Sequence, residues 1–147
     1  MRKRKVAAAA RGVMQVPRFA DEAEEAQWWE KQQSRMARAM EAALSAGITP
    51  DRIAVDPGFG FAKSAEQNLE LADGLAALGV LGRPVLVGPS RKRFLGSVTG
   101  RETPDRDTAT AAVCVMAYER GARLFRVHNV AATRDALAVA YAVRHGP

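Results

Sequence analysis

The chain contains few of the residues that cross-link secreted proteins or bind metals. A single cysteine, Cys114, stands among its 147 residues, so no disulfide bond can form within the chain. Cys114 lies in an apolar helical segment, where a small buried residue is the expected role. The two histidines, His128 and His145, fall on different predicted elements, and no metal-ligand spacing is present. The sequence therefore predicts neither a disulfide-rich fold nor a metal site built from this chain's own residues.

Long hydrophobic runs are also missing. No apolar stretch reaches the length that spans a bilayer. The short apolar run at residues 6–10 follows basic residues, but Arg11 ends it, which argues against a signal peptide. These patterns predict a cytoplasmic protein that does not bind a membrane.

The chain carries a net charge of +6, which raises the question of nucleic-acid binding. One group of basic residues lies at positions 2–5, within residues 1–20. We interpret that segment as a solvated basic tail, with an anion-binding arm as the alternative. The other group is Arg91, Lys92 and Arg93. No aromatic residues alternate with the basic run to stack on bases, so we expect no nucleic-acid partner.

Three short apolar segments are typical of buried parallel strands. They are residues 53–55, 84–87 and 124–128, and a polar or turn-forming segment follows each. Asp56 and Gly88 lie 32 residues apart, and Gly88 and Val127 lie 39 apart. These intervals fit one strand, one helix and their loops, which is the repeating unit of a parallel α/β sheet.

Helical patterns lie before and between these strands. The first covers residues 21–46, with acidic residues at its start and Gly47 after its end. A capping box of Ser64 and Gln67 predicts the start of a second helix, and Gly79 its end.

Two more helices follow in the same pattern. One has Asp107 or Thr108 as its predicted N-terminal cap and stops at Gly121. The last carries an apolar face made of Ala136, Leu137, Ala140 and Tyr141.

The loop after the first predicted strand is the strongest candidate for a ligand site. Asp56 follows that strand directly, and the Pro-Gly pair after it breaks regular structure. Phe59 and Phe61 flank Gly60, and we expect their rings to form an aromatic surface. The alternative is a tight turn in which Asp56 caps the backbone and both phenylalanines enter the core.

Parallel strands bring Asp56, Lys92, Arg126 and His128 to one edge of the sheet, where ligands bind in α/β proteins. One carboxylate among cationic groups suits a phosphate or pyrophosphate better than hydrolysis by paired carboxylates. An aspartate can also accept hydrogen bonds from the N–H groups of a heterocycle, and aromatic rings can cover its face. Each residue also has a structural alternative: a solvated loop for Lys92, a buried ion pair for Arg126, and a backbone-bonded strand end for His128.

Three motifs in this order resemble dihydropteroate synthase, a family of pterin-binding enzymes in folate biosynthesis. They are residues 56–61 with Lys63, residues 90–96, and residues 126–128. The resemblance implies an α/β fold that is part of a TIM (β/α)8 barrel, about its last three βα units with a preceding helix. It implies a transferase that condenses 6-hydroxymethyl-dihydropterin pyrophosphate with p-aminobenzoate to dihydropteroate and pyrophosphate, with help from Mg²⁺.

The resemblance also assigns roles to individual residues. It makes Lys92, Arg126 and His128 catalytic, and the substrate-binding residues Asp56, Phe59, Gly60, Phe61, Ser90, Lys92, Arg93, Arg126 and His128. Asp56 would bind the pterin ring, and Lys92 would contact the pterin and help to place p-aminobenzoate. Phe59, Phe61 and Arg93 would border p-aminobenzoate, whereas Arg126 and His128 would hold the pyrophosphate. The protein ligand of Mg²⁺ is expected in a part of the barrel that this chain lacks.

Residues 21–147 form the C-terminal part of such a barrel by this interpretation, and a barrel needs about 250 residues. Three strands without closure leave two unpaired edges. We therefore expect a homo-oligomer or association with a complementary half. Other candidates are a non-catalytic pterin- or phosphate-binding protein and a pterin-dependent methyltransferase. Arg93, Ala62 and Asn129 depart from the residues Ser, Gly and Asp that many members have.

Overall fold

The computed structural model of the protein describes residues 19–146, so most of the predicted basic tail at 1–20 lies outside the described residues. The regular elements are α1 (Glu22–Ser45), α2 (Ala65–Asp73), β1 (Val85–Val87), α3 (Arg93–Thr99), α4 (Asp107–Glu119), β2 (Ala122–Phe125) and α5 (Val130–His145). Three 3₁₀ segments, Pro50–Arg52, Gly74–Leu81 and Thr103–Asp105, connect them. The order of helices and strands is that of an α/β protein.

The strands β1 and β2 pair in parallel, with Val85 opposite Ala122 and Val87 opposite Phe125. The predicted strand at residues 53–55 is wrong in extent, because a single residue, Val55, joins the sheet through a parallel bridge to Val85. Its amide donates to the Pro84 carbonyl at 3.0 Å, and its carbonyl accepts from the Leu86 amide at 2.8 Å. Pro57 lies just beyond Asp56 and has no N–H, so it cannot extend the ladder.

The predicted strand at residues 124–128 is also displaced. β2 begins at Ala122 and ends at Phe125. The Arg126 amide still donates to the Val87 carbonyl at 3.0 Å, so this residue is held by the sheet although it lies beyond the strand. Arg126 and His128 therefore belong to the loop that follows β2, at the carboxyl edge of the sheet.

The first two helices begin where the sequence predicts. Asp21 caps α1 by accepting from the Glu24 amide at 2.9 Å. The Ser64–Gln67 capping box is confirmed, with both reciprocal bonds present at 3.2 and 2.9 Å. Gly79 as the end of the second helix is wrong: α2 stops at Asp73, and a 3₁₀ segment continues to Leu81.

The later helices lie near their predicted positions, but α4 is not capped as predicted. α4 begins at Asp107, but the Asp107 side chain makes no capping bond and binds Arg91 instead. Asn129 caps α5, its Oδ1 accepting from the Ala132 amide at 3.1 Å. On α5, Ala136, Leu137 and Ala140 are half-buried, whereas Tyr141 is exposed. The short helix α3 has no counterpart in the sequence prediction.

The core lies between the sheet and the helices packed on it. Its fully buried members include Leu71, Leu75, Leu78 and Val87. Cys114 is buried as expected, and burial raises the pKa of its thiol to about 11. None of the helices within residues 19–146 is both long and apolar enough to cross a membrane.

Candidate functional site

The loop after Val55 is held in a tight conformation by side chains that bind its backbone. Asp56 Oδ1 accepts from the Gly58 amide at 2.8 Å, as the predicted cap would. The Gly60 amide donates to Asn68 Oδ1 at 2.7 Å, which ties the loop to α2. Gly58 and Gly60 adopt φ values of +74° and +78°, a region that L side chains rarely adopt.

The two phenylalanines of this loop have different environments. Phe61 is 47% exposed, as expected of an aromatic surface. Phe59 is 1% exposed, and its ring stacks on Phe94 with a centroid distance of 6.1 Å. The expectation that Phe59 forms part of an accessible surface is wrong, because the turn directs its ring into the core. Phe59 supports the loop from below, and Phe61 presents the accessible ring.

Lys92 lies across this loop. Its Nζ is 4.3 Å from the centroid of the Phe61 ring, a cation–π geometry. A Cβ on Gly60 would approach the Lys92 Cδ to 2.6 Å, so the lysine stem fits because residue 60 has no side chain. Lys92 therefore contacts two residues of the loop that carries Asp56.

Arg126 approaches the same place from the third loop. Its Nη2 lies 4.0 Å from Asp56 Oδ2, and a Cβ on Gly88 would come within 3.0 Å of that nitrogen. The side chains of Arg126 and Asp56 are 65% and 39% exposed. A buried ion pair is therefore the wrong alternative for Arg126, because both partners are accessible to a ligand.

Ser90 connects the second and third loops. Its hydroxyl accepts from the His128 amide at 3.0 Å and lies 2.8 Å from His128 Nδ1. Ser90 is buried, and His128 is exposed. The hydrogen bond fixes the imidazole ring at Nδ1, so the accessible ring edge has a defined position.

A second set of contacts supports these loops, and sequence reasoning missed it. Arg91 adopts φ +56° and forms a bidentate ion pair with Asp107 at 2.7 and 2.9 Å. Asn129 Nδ2 also donates to Asp107, at 3.1 Å. The Arg91 guanidinium and the Asn129 amide together hold the pKa of Asp107 at about 2. Asp107 was visible in the sequence as a helix-start signal, but its contacts with Arg91 and Asn129, 16 and 22 positions away, were not.

The loops border an open cavity of about 360 Å³. It is lined by Gly88, Ser90, Arg91, Lys92, Thr103, Arg126, Val127 and His128. Of the candidate site residues, Ser90, Lys92, Arg126 and His128 thus share one cavity. Asp56 and Phe61 lie beside the cavity and do not line it. Asp56 faces the lining residue Arg126, and the Phe61 ring contacts the lining residue Lys92. Arg93 begins α3, is exposed, and is not among the lining residues.

The residues around the cavity do not fit a magnesium ion. Mg²⁺ prefers several oxygen ligands. Within residues 19–146, no group of three or more His, Cys, Asp or Glu side chains is placed to hold a metal. Asp56 faces Arg126, and both oxygens of Asp107 bind Arg91. These residues therefore do not form a magnesium site by themselves.

Comparison with known proteins agrees with these motifs. A family model described as pterin binding enzyme matches residues 3–128. The dihydropteroate synthase of Streptococcus pyogenes serotype M1 is 50% identical over 101 residues, which are 67% of this chain and 38% of that protein. The dihydropteroate synthase of Mycobacterium leprae is 43% identical over 112 residues, 71% of this chain and 39% of that protein. The chain thus spans about two fifths of the length of these relatives.

Solved structures show the same α/β arrangement. Dihydropteroate synthase from Xanthomonas albilineans in complex with 7,8-dihydropteroate aligns with a TM-score of 0.76 and 45% identity, covering 80% of this chain and 45% of that one. A structure of the same organism's enzyme with 4-aminobenzoic acid aligns with a TM-score of 0.75 and 43% identity, covering 89% of this chain and 46% of that one. The resemblance inferred from the sequence is confirmed, and the chain belongs to the pterin-binding enzyme family.

Proposed function

We propose that this chain is the C-terminal part of a dihydropteroate synthase barrel, about its last three βα units with the preceding helix α1. The reaction is the condensation of 6-hydroxymethyl-dihydropterin pyrophosphate with p-aminobenzoate. The observation that carries the proposal is the arrangement of Lys92, Arg126 and His128 around one cavity with Asp56 at its edge. The named relatives support it, as do the homologous structures holding dihydropteroate and 4-aminobenzoic acid.

The chemistry suits the charges in the cavity. The bond between the pterin methylene carbon and the pyrophosphate oxygen breaks, and its electron pair leaves with pyrophosphate. The nitrogen of p-aminobenzoate forms the new C–N bond and releases a proton. Arg126 and His128 bind the departing anion, because their donors lie where negative charge accumulates. The protein's contribution is to position the reactants and stabilise this charge.

The remaining site residues orient the two substrates. Asp56 Oδ1 is engaged by the Gly58 amide, so Oδ2 accepts hydrogen bonds from the pterin ring. Lys92 contacts the pterin and helps to place p-aminobenzoate, with Gly60 and Phe61 beneath it. Ser90 acts through its hydrogen bond to His128. Arg93 borders p-aminobenzoate in this proposal, whereas the buried Phe59 only supports the loop that carries Phe61.

Mg²⁺ would assist the departure of pyrophosphate in the complete enzyme, and its protein ligand belongs to a part of the barrel beyond this chain. The partners are small molecules, with no nucleic acid and no membrane, and the location is the cytoplasm. Fractionation of cells that express the tagged chain tests the location.

A complementary half or a second copy completes the barrel in this proposal. The edge of β2 away from β1 has no strand partner among the described residues. An apolar groove of about 500 Å³ lies between β2 and α5, with Leu124, Val130 and Tyr141 among its lining residues. Light scattering tests the association, and a well-folded monomer with cooperative unfolding would contradict it.

Turnover tests the proposed reaction. Release of pyrophosphate and formation of dihydropteroate are measured for the chain alone and after mixing with the N-terminal half of a related synthase. Lys92→Ala and Arg126→Ala should each reduce kcat/KM by at least about 100-fold without unfolding the protein. Arg35→Ala is the matched control, because Arg35 is exposed on α1 and lines neither the 360 Å³ cavity nor the 500 Å³ groove. Near-normal rates in the first two variants would refute the assignments.

A binding protein without turnover is the second candidate, since the chain covers 38% of its relatives and the described residues do not fit a magnesium ion. Calorimetric titration with the pterin pyrophosphate, together with the product assay, separates the candidates. Binding without product in the reconstituted protein favours the binding role. A pterin-dependent methyltransferase is tested by the same titration with a methylated folate.

A further inference from the structure

Lys63 is a buried lysine that the proposed chemistry does not use. It is 7% exposed and lies beneath the loop that follows Asp56. Its Nζ donates to the carbonyls of Gly58 at 2.8 Å, Pro57 at 3.3 Å and Phe61 at 3.4 Å. One side chain therefore binds three backbone carbonyls of a single loop.

The backbone of this loop explains why a cation lies there. Gly58, Gly60 and Ala62 all have positive φ, which is rare for the alanine. This conformation turns several carbonyls toward the same point, where their negative ends repel one another. The three N–H donors of a lysine ammonium satisfy them together. Burial lowers the pKa of Lys63 to about 8, and the negative charge of Asp56 acts against that change, so the ammonium persists at neutral pH.

The same loop determines where Lys92 lies. Its ammonium is 4.3 Å from the Phe61 ring centroid, and its stem passes over Gly60 where no Cβ could fit. The Phe61 carbonyl is one of the three that bind Lys63. A contact path thus runs from Lys63 through the backbone of Phe61 to the side chain of Lys92.

We propose that Lys63 is a positioning residue: by binding the carbonyls of Pro57, Gly58 and Phe61, it holds the loop surface on which Lys92 is placed for its substrate. The assignment of Lys92 to a substrate rests on the proposed function. The placement of Lys92 by Lys63 is a property of the chain without ligand and can be measured by itself.

Nuclear magnetic resonance of the chain, labelled at its five lysines, reports this placement at pH 6.5. The ring of Phe61 shifts the Lys92 side-chain resonances upfield, and their disappearance in Lys92→Arg and return to ordinary values in Phe61→Leu assign them. Lys63→Met keeps an apolar stem but has no donor. Lys31→Met is the matched control, since Lys31 is exposed on α1.

Lys63→Met should lose the larger part of the upfield shift, and Lys31→Met should keep it. Exchange of the Gly60 amide should accelerate in Lys63→Met, while exchange of core amides such as that of Val87 stays unchanged. If Lys63→Met does not fold, Lys63→Leu, which also lacks a donor, is compared in its place and should lose the shift in the same way. A Lys92 shift that survives in the folded Lys63 variant would overturn the proposal.

Substrate binding is measured separately on the same proteins. Lys63→Met should weaken p-aminobenzoate and pterin binding in the direction of Lys92→Ala, and Lys31→Met should not change it. If no variant and no wild-type protein binds a pterin, the proposed function fails, whereas the resonance shift still decides whether Lys63 places Lys92. The two failures are therefore distinguishable.

Discussion

Replacing Gly60 by alanine tests how closely the first loop and Lys92 fit together. Gly60 has φ +78°, and an added Cβ would lie 2.6 Å from Lys92 Cδ and 3.1 Å from its Cε and Cγ. Gly100 provides a matched control. It has φ +68° at the end of α3, and an added Cβ there would meet no atom within 4 Å.

The backbone cost should be similar in both variants. An alanine in the left-handed region costs about 1–2 kcal/mol, and the reduced entropy of the unfolded chain returns about 0.4–1 kcal/mol. Each variant should therefore lose on the order of 1 kcal/mol of unfolding free energy. In Gly60→Ala the flexible stem of Lys92 moves away, so the added loss falls on ligand binding. One charged hydrogen bond is worth about 1.5–3 kcal/mol, which predicts roughly 10- to 100-fold weaker affinity.

Urea denaturation gives the unfolding free energies, and calorimetric titration with the pterin pyrophosphate gives the affinities. Gly100→Ala should bind like the wild type. Equal affinities for the two variants would refute the idea that the loop at Gly60 sets the position of Lys92. A much larger loss of stability in Gly60→Ala would show that Lys92 cannot move aside, which would also contradict the reasoning.

The other expectations concern the core, the buried lysine and the contacts of α4. Phe59→Ala should lower the unfolding free energy by about 3–5 kcal/mol because its ring is buried, whereas Phe61→Ala should change it by no more than about 0.5 kcal/mol because its ring is exposed. Similar losses in the two variants would contradict these environments. Since the pKa of Lys63 is lowered to about 8 from its usual 10.5, the unfolded chain binds more protons between those values. The unfolding free energy of the wild type, measured relative to that of Lys63→Met, should then rise by up to about 3 kcal/mol from pH 8 to 10.5. If it falls over this range instead, the bonds to the carbonyls outweigh desolvation of the ammonium. The pKa of Asp107 is lowered to about 2, so the ionised side chain stabilises the fold above pH 3.8, the usual pKa, and this stabilisation is lost toward pH 2. If the wild type is no more sensitive to acid than Asp107→Asn, this expectation is wrong. Asn129→Asp places a like charge beside Asp107, so urea denaturation should show a loss of stability at pH 7 that shrinks toward pH 4 as the introduced carboxylate is protonated; Asn129→Ser, which can still cap α5, controls for the helix cap.

Local signals in the sequence predicted much of the secondary structure. The capping box at Ser64 and the acidic start of α1 depend on residues three or four positions apart, and both helices begin where these signals lie. Helix ends were less predictable. α2 tightens into a 3₁₀ segment at Gly74, where the Trp29 ring of α1 leaves no room for a Cβ. That contact joins residues 45 positions apart, which a local pattern cannot contain.

The strands were likewise predictable in position and not in length. An apolar run predicts burial, but strand length depends on which neighbour supplies hydrogen bonds. Residues 53–55 contribute one bridging residue, and β2 begins two residues earlier than its apolar run predicts. Pairing with β1 decided both limits, because the ladder ends where a partner's N–H or C=O is absent.

By itself, the sequence determined the family, the parallel α/β order and the presence of Asp56, Lys92, Arg126 and His128 after three apolar segments. Residue identity and chain order are local properties, and the motifs preserve them. The tertiary structure alone decided that Phe59 is buried while Phe61 supports Lys92, that Arg91 and Asn129 meet on Asp107, and that Lys63 gathers three carbonyls. These outcomes depend on directions and distances between separate segments, which are set when the loops pack on the sheet.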